Sequence, residues 1–255
     1  MGDTGTGDAN QASVAAAMSA KCETAECDFA LLLGDNFYPS GVSSVEDPLF
    51  TTVFEEPYAD LDIPFYPTIG NHDADGNVQA LIDYSAVSDK WNMPSRYYSI
   101  AYPDESAPLV ELFAIDSTQF DDEQATWLST TLANSTATWK ILFDHYPYYS
   151  NGPHGDDSGG IATASAAIIC NQVDLIISGH DHNKEHLVGT TGNCQFHQIV
   201  LGSGGAGLYE VTPDERTLFS ISSFGFGWFQ VSEDNLYFEF LDVEGQVEYS
   251  YQATQ

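Results

Sequence analysis

Four short apolar runs in this chain each stop at residues that hold cations or move protons, and this repetition constrains the fold more than any other feature. Leu31-Leu32-Leu33 stops at Gly34-Asp35-Asn36-Phe37-Tyr38. Phe65-Tyr66-Pro67-Thr68-Ile69 stops at Gly70-Asn71-His72-Asp73. Trp139-Lys140-Ile141-Leu142-Phe143 stops at Asp144-His145-Tyr146-Pro147, and Val173-Asp174-Leu175-Ile176-Ile177 at Ser178-Gly179-His180-Asp181-His182-Asn183. Apolar runs of this length, bounded by turn residues, read as buried strands. In open α/β sheets, ligands collect just beyond the carboxyl ends of the strands. The four endings therefore mark one candidate site on an α/β scaffold.

The remaining segments supply the other layers. An alanine-rich helix over about Asn10 to Ala20, capped by Asp8 or Asn10, precedes a strand Phe29–Leu33. Asp47-Pro48 opens a helix with Phe50, Val53 and Phe54 on one face. Another helix is expected near Asn77–Ser88, then strands at Tyr97–Ala101 and Leu109–Ile115. Asp121-Asp122-Glu123 opens the next helix, where acids suit the dipole. Strand Thr138–Phe143 and a small-residue helix, about Ile161 to Cys170, follow. From Glu185 onward the pattern alternates. Phe226–Val231, Leu236–Val243 and Val247–Tyr251 read as an antiparallel meander in a second sheet packed on the first. With 255 residues, 43% of them hydrophobic, and no linker, a single domain over residues 1–255 is expected.

Charge narrows the partners. Six Lys+Arg stand against 38 Asp+Glu, for a net −32. Such a surface repels nucleic acid and anionic membranes and fits life in high salt, where screening shrinks the self-repulsion. No apolar run is long enough to span a bilayer, and Met1-Gly2-Asp3-Thr4-Gly5 does not read as a signal peptide. Small-molecule substrates and a monomer are expected, with no nucleic-acid or membrane partner. A phosphate-bearing substrate would need a strong local positive charge, and metal ions are the obvious source.

Four cysteines are expected to pair as Cys22–Cys27, around a short polar turn, and Cys170–Cys194. No C-x-x-C pair is present, which argues against a zinc ribbon or a thioredoxin-like motif. Disulfides imply an oxidising compartment, hence a secreted or periplasmic location.

Taken singly, the site residues have plain explanations: a turn aspartate, a core tyrosine, an Asx turn, a loop histidine. Together they do not. Five of the seven histidines, His72, His145, His154, His180 and His182, fall in loops after strand-like runs or in the adjacent glycine-rich loop. His186 and His197 sit in strand-like sequence and take a structural reading. Asp3, Asp35, Asn71, His145, His180 and His182 form a mixed oxygen and nitrogen donor set. Such a set suggests two ions about 3.5–4 Å apart that clamp a phosphate.

These motifs resemble the calcineurin-like metallophosphoesterases, and more narrowly the small purple, tartrate-resistant acid phosphatases. The likeness extends to Gly76-Asn77-Val78 and Lys90-Trp91-Asn92-Met93-Pro94-Ser95, which carry no ligands. Tyr38, three residues after Asp35, is the feature that separates this branch from its relatives. The resemblance implies a four-layer α-β-β-α sandwich of two mixed sheets. It implies Asp3, Tyr38 and His182 on a ferric ion, Asp35 bridging, and Asn71, His145 and His180 on a divalent iron, zinc or manganese ion. His72 would orient substrate or nucleophile, and His154, in Gly152-Pro153-His154-Gly155, would contact phosphate or protonate the leaving group. The implied reaction is hydrolysis of phosphate monoesters by a hydroxide generated on the metals. A tyrosine has an ordinary pKa of about 10, so binding as phenolate in acid needs a highly charged cation such as ferric iron.

Three departures from the family pattern carry expectations. The core strand that should precede Asp3 is missing, which would leave Asp3 poorly held. Asp144 replaces a glycine and would add negative charge near the second metal. The connection Asp116–Asp122 is short where animal members carry an inhibitory loop, so no proteolytic activation is expected. The rival readings are a phosphodiesterase with another metal pair, and a metal- or phosphate-binding protein without turnover, which the first two departures would favour.

Overall fold

The structure, a computed structural model, describes residues 1–254. The chain begins with α1 (Ala9–Thr24), whose start is set by Asp8: its carboxylate accepts from Asn10 N and Gln11 N. Then follow β1 (Ala30–Leu32), a π-helical turn over Phe50–Glu55, β2 (Phe65–Pro67), the short α2 (Asn71–Ala74) and α3 (Val78–Asp83). The Asp47-Pro48 signal thus opens a π-helix, and its face Phe50, Val53 and Phe54 is buried as expected. Next come β3 (Tyr98–Tyr102), β4 (Val110–Ala114), α4 (Asp122–Asn134), β5 (Trp139–Phe143), α5 (Ile161–Ile169) and β6 (Leu175–Ser178). The remainder is strand: β7 (Lys184–Thr191), β8 (Cys194–Leu201), β9 (Thr217–Ile221), β10 (Gly225–Val231), β11 (Asn235–Asp242) and β12 (Val247–Thr254).

One mixed sheet of seven strands, in the order β3-β4-β5-β6-β8-β7-β9, forms the backbone of the molecule. Its central β4, β5, β6 and β8 run parallel, as expected for strands buried on both faces. On one face lie α4 and α5, which bury Leu128, Leu132, Ile161 and Ile169 with Leu142 and Ile176. On the other face a second β layer packs, covered in turn by α1 through Val14 and Met18. The order of layers is therefore α-β-β-α.

The second layer differs from one mixed sheet. It consists of a parallel pair β1-β2 and a separate antiparallel meander β10-β11-β12. Strands β1 and β10 are edges of their pieces, and both line an apolar cavity of about 190 Å³ with Leu31, Leu33, Ile141, Ile177, Phe226 and Trp228 on its walls. The split falls beside Met1, which lines the same cavity.

Asp3 is nonetheless not poorly held. Gly2 N donates to Leu201 O, Leu33 N to Met1 O and Asp3 N to Gly34 O, so three residues bridge β1 and β8. Asp3 is fully buried. Backbone pairing to two strands replaces the anchoring that a preceding strand would give. Both expected disulfides, Cys22–Cys27 and Cys170–Cys194, are present. Among the described residues, no helix is long and apolar enough to cross a membrane.

Candidate metal centre

The four strand endings converge. Asp35 follows β1, Asn71 and His72 follow β2, His145 follows β5, and His180 and His182 follow β6. Asp3, Asp35 and His145 are buried, with one donor atom from each lying within 4.8 Å of the others. The close approach of these loops needs bare backbone. Gly34 has φ +84°, and a Cβ there would lie 2.7 Å from Gly70 N. At Gly70 a Cβ would lie 2.1 Å from Asp35 N. Asp3, Asp35 and His180 themselves take left-handed φ of 58°, 52° and 69°. Such backbone costs on the order of 1–3 kcal/mol per residue and persists where the surroundings impose it.

Asp35 Oδ2 is the shared point of two donor groups. It lies 3.1 Å from the Tyr38 hydroxyl, which is itself 3.2 Å from Asp3 Oδ1 and 3.4 Å from His182 Nε2. It also lies 3.5 Å from His145 Nε2, which is 3.0 Å from Asn71 Oδ1. Donors on one octahedral ion with bonds of about 2.1 Å stand about 3 Å apart, so both groups have the spacing of a coordination shell.

Tautomers point the same way. His145 Nδ1 donates to Leu33 O at 2.8 Å and His182 Nδ1 to Gly207 O at 2.7 Å. A carbonyl can only accept, so the proton is on Nδ1 and the lone pair of neutral imidazole is on Nε2. His145 Nε2 then faces Asn71 Oδ1, and His182 Nε2 faces Asp3 Oδ1 at 3.3 Å. Two acceptors this close call for a cation or a proton between them. The protonation balance shows the demand. Burial works against charge on His145, but Asp35 and Asp3 outweigh it and its pKa is raised. Burial likewise opposes charge on His182, and the hydrogen bond to Asp3 turns the shift upward. Burial, then the charges of Asp3 and Asp35, push the Tyr38 phenol far above its ordinary range. The donor set fits a pair of cations, one of them highly charged.

Other candidates occupy the rim. His180 donates its backbone N–H to Asp3 Oδ2 at 2.8 Å, and its ring lies 5.0 Å from that of His145. Burial, then His145, lowers its pKa, which favours the neutral ring a cation would need. His72 donates its backbone N–H to Asp35 Oδ1, and its Nε2 lies 3.9 Å from Asp35 Oδ2. His154 stands over His180 with ring centroids 4.0 Å apart and Nδ1 2.8 Å from Asp181 Oδ1. All nine candidate residues gather at one end of the sheet.

Asp144 does not add charge there. Its carboxyl turns between β5 and β6, accepts from the Ser178 hydroxyl and is fully buried. Burial pushes its pKa up to about 8, so the group is largely neutral at and below neutral pH. His186 and His197 lie elsewhere, bonded to each other at 2.8 Å.

Residues 1–184 match the family model described as calcineurin-like phosphoesterase. The chain belongs to this family. Within it, purple acid phosphatase 3 of Arabidopsis thaliana is 32% identical over an alignment that spans 100% of this chain and 76% of the relative. Tartrate-resistant acid phosphatase type 5 of Mus musculus is 29% identical, covering 82% of this chain and 80% of its own length. Among solved structures, GAP50, titled the anchor in the inner membrane complex of Plasmodium, superposes with a TM-score of 0.86 at 24% identity, over 100% of this chain and 87% of its own. That likeness shows the fold. Family membership makes the chain a hydrolase of phosphate esters.

Three parts of this phosphoesterase site escape sequence reasoning. Asp73 accepts from the backbone N–H groups of Asn36, Phe37 and Gly70 and so locks the first two loops together. Burial, then Asp35, pushes its pKa up to about 7. The loop after β8 clamps Asp3 and His182: Gly204 N donates to Gly2 O, Ala206 N to Asp3 O, and Gly207 O accepts from His182. Tyr209 stacks on His182 with centroids 4.2 Å apart and planes 9° from parallel. The glycine run Gly202, Gly204, Gly205 and Gly207 was the available signal for that loop.

Proposed function

We propose that this chain is an acid phosphatase that hydrolyses small phosphate monoesters at a ferric–divalent metal pair. Asp3, Tyr38 and His182 would hold the ferric ion, Asn71, His145 and His180 a divalent iron, zinc or manganese ion, and Asp35 would bridge. The observation that carries this is Asp35 Oδ2, within reach of both donor groups at 3.1 Å from Tyr38 and 3.5 Å from His145. When bound, such a pair supplies charge that acidifies water and neutralises phosphoryl oxygens.

The chain's own residues do the rest. Nδ1–H donation to Leu33 O and Gly207 O fixes the His145 and His182 rings with Nε2 inward. His154, with Nδ1 engaged by Asp181, keeps Nε2 for the substrate and can give the leaving oxygen its proton. His72 pins Asp35 Oδ1 through its backbone N–H, and its ring donates Nδ1–H to Pro39 O at 2.6 Å, which leaves Nε2 on the Asp35 side. The connection from β4 to α4 is short and tied down by Asp116, which accepts from Arg96 Nε at 2.9 Å, so no inhibitory loop covers the site. Two disulfides support a secreted or periplasmic protein. Neither departure that favoured a non-catalytic protein keeps its force, because Asp3 is anchored, and the Asp144 carboxyl turns to Ser178 where burial raises its pKa.

The test is hydrolysis of p-nitrophenyl phosphate against its bis ester, with metal analysis on the same sample. Preference for the monoester with two metals per chain is expected. Asp35→Asn should lose metal and lower the rate by more than about a hundredfold. A preferred diester, or an active Asp35→Asn protein with both metals, would sink the assignment.

A further inference from the structure

The rim of the site is aromatic and carries no free cation. Tyr209 lies flat on His182, its ring 5.4 Å from His154. Tyr146 stands edge-on to His180 at 4.6 Å on the other side. Tyr209 and Tyr146 are half-buried, and the side chains of His72 and His154 are 35% and 37% exposed. These four rings border the exposed side of the donor cluster.

Charge on that organic part would meet no support. The six basic side chains are all engaged elsewhere: Lys21 by Glu239, Arg96 by Asp116, Lys184 by Glu248 and Arg216 by Asp214 and Asp156. Lys90 donates to Tyr58 O and Lys140 to Leu132 O. A second phosphate, or an acidic group beside the first, would face a surface of net −32 without a counter-ion.

We propose that Tyr209 is a specificity-determining residue that selects phosphate esters of phenols, its ring serving as a platform for an aromatic leaving group of no net charge. The inference rests on the phosphatase reading above. Rigid aromatic faces give stacking partners that aliphatic groups cannot match. The Tyr209 backbone fixes the platform, because its N–H donates to His182 O at 2.9 Å. The segment that carries it is the one that holds Asp3 and His182, so the platform is registered to the centre.

Phenols are also better leaving groups, so rates alone do not isolate the ring. The experiment is inhibition by phenylphosphonate and cyclohexylphosphonate, which are not hydrolysed, measured on the metal-loaded enzyme with binding confirmed by calorimetry. The wild type should bind the phenyl compound about fivefold more tightly. Tyr209→Phe should keep that ratio, and Tyr209→Leu, which preserves bulk on His182, should bring it to about one. A ratio near one in the wild type, or one unchanged in Tyr209→Leu, overturns the proposal. A purely packing role for Tyr209 would shift both constants together and leave the ratio intact. Selective binding of phenylphosphonate without hydrolysis of any ester would support the platform and remove the phosphatase reading. Failure to bind either phosphonate would overturn the platform. Phenyl phosphate and a neutral phosphotyrosyl peptide, assayed side by side, distinguish a free source of the aryl phosphate from a protein one; a KM for either that rises in Tyr209→Leu while that for glycerol phosphate does not supports the class, and KM values that move together overturn it.

Discussion

His154 Nδ1 lies 2.8 Å from Asp181 Oδ1, and the His154 ring covers that of His180 at 4.0 Å. Asp181 is fully buried and its other oxygen accepts from the Ser150 hydroxyl at 2.6 Å. The carboxylate therefore cannot swing away, and His154 is held with one nitrogen toward the substrate. Asp181→Asn keeps the shape and removes the charge. It should lower kcat by about 10–100-fold on an alkyl phosphate, whose leaving group needs a proton, and much less on p-nitrophenyl phosphate. Equal losses on both substrates would show that His154 is not the proton donor.

Tyr38 gives an optical test. Burial and the carboxylates of Asp3 and Asp35 hold its phenol protonated unless a highly charged cation displaces the proton. A visible absorption band is expected in the iron-loaded protein and should disappear in Tyr38→Phe, with far-ultraviolet circular dichroism unchanged. A band that survives Tyr38→Phe would place the iron elsewhere.

Stability should fall in acid through a histidine pair outside the site. His186 is fully buried on β7, bonded to His197 on β8 and to the Tyr249 hydroxyl on β12 at 3.0 Å. Burial, then the neighbouring His197, pushes His186 down to about 3, and burial lowers His197. In the unfolded chain each takes a proton near about pH 6.5. Their contribution is thus fully present above about pH 6.5 and is lost as pH falls toward about 3. His186→Gln cannot take up this proton. Urea unfolding at about pH 7 and about pH 5 should show a shallower decline in the variant, by up to about 1.4 kcal/mol per pH unit. Parallel declines would exclude His186 as the source.

The Cys170–Cys194 bridge ties the end of α5 to the start of β8 across 24 residues. Closing a loop of that size stabilises by about 3 kcal/mol in the chain-entropy account. The double Cys→Ala variant should lower the urea midpoint accordingly, as should reductant. A midpoint unmoved by either would mean that the crosslink contributes nothing to stability.

Local sequence suffices for the end-of-strand chemistry. A buried strand shows as an apolar run, and the residues after it must lie at the carboxyl edge. Asp35, Tyr38, Asn71, His145, His180 and His182 were therefore legible as one site, and the alternating pattern of β10, β11 and β12 as a meander. Whatever depends on which segments meet appears only in the folded chain. Asp144 read as an added charge because its neighbour His145 is a candidate ligand, yet only the packing of β5 beside β6 shows that it turns to Ser178. Asp3 read as loose because it begins the chain, yet pairing to Leu201 and Gly34 fixes it. Asp73, Asp181 and Tyr209 gain their roles from Asn36, His154 and His182, which lie 27 to 37 residues away and which no local pattern reveals, and His180 N reaches Asp3 Oδ2 across 177 residues. Periodicity encodes what a segment buries, and the choice of partner belongs to the folded whole.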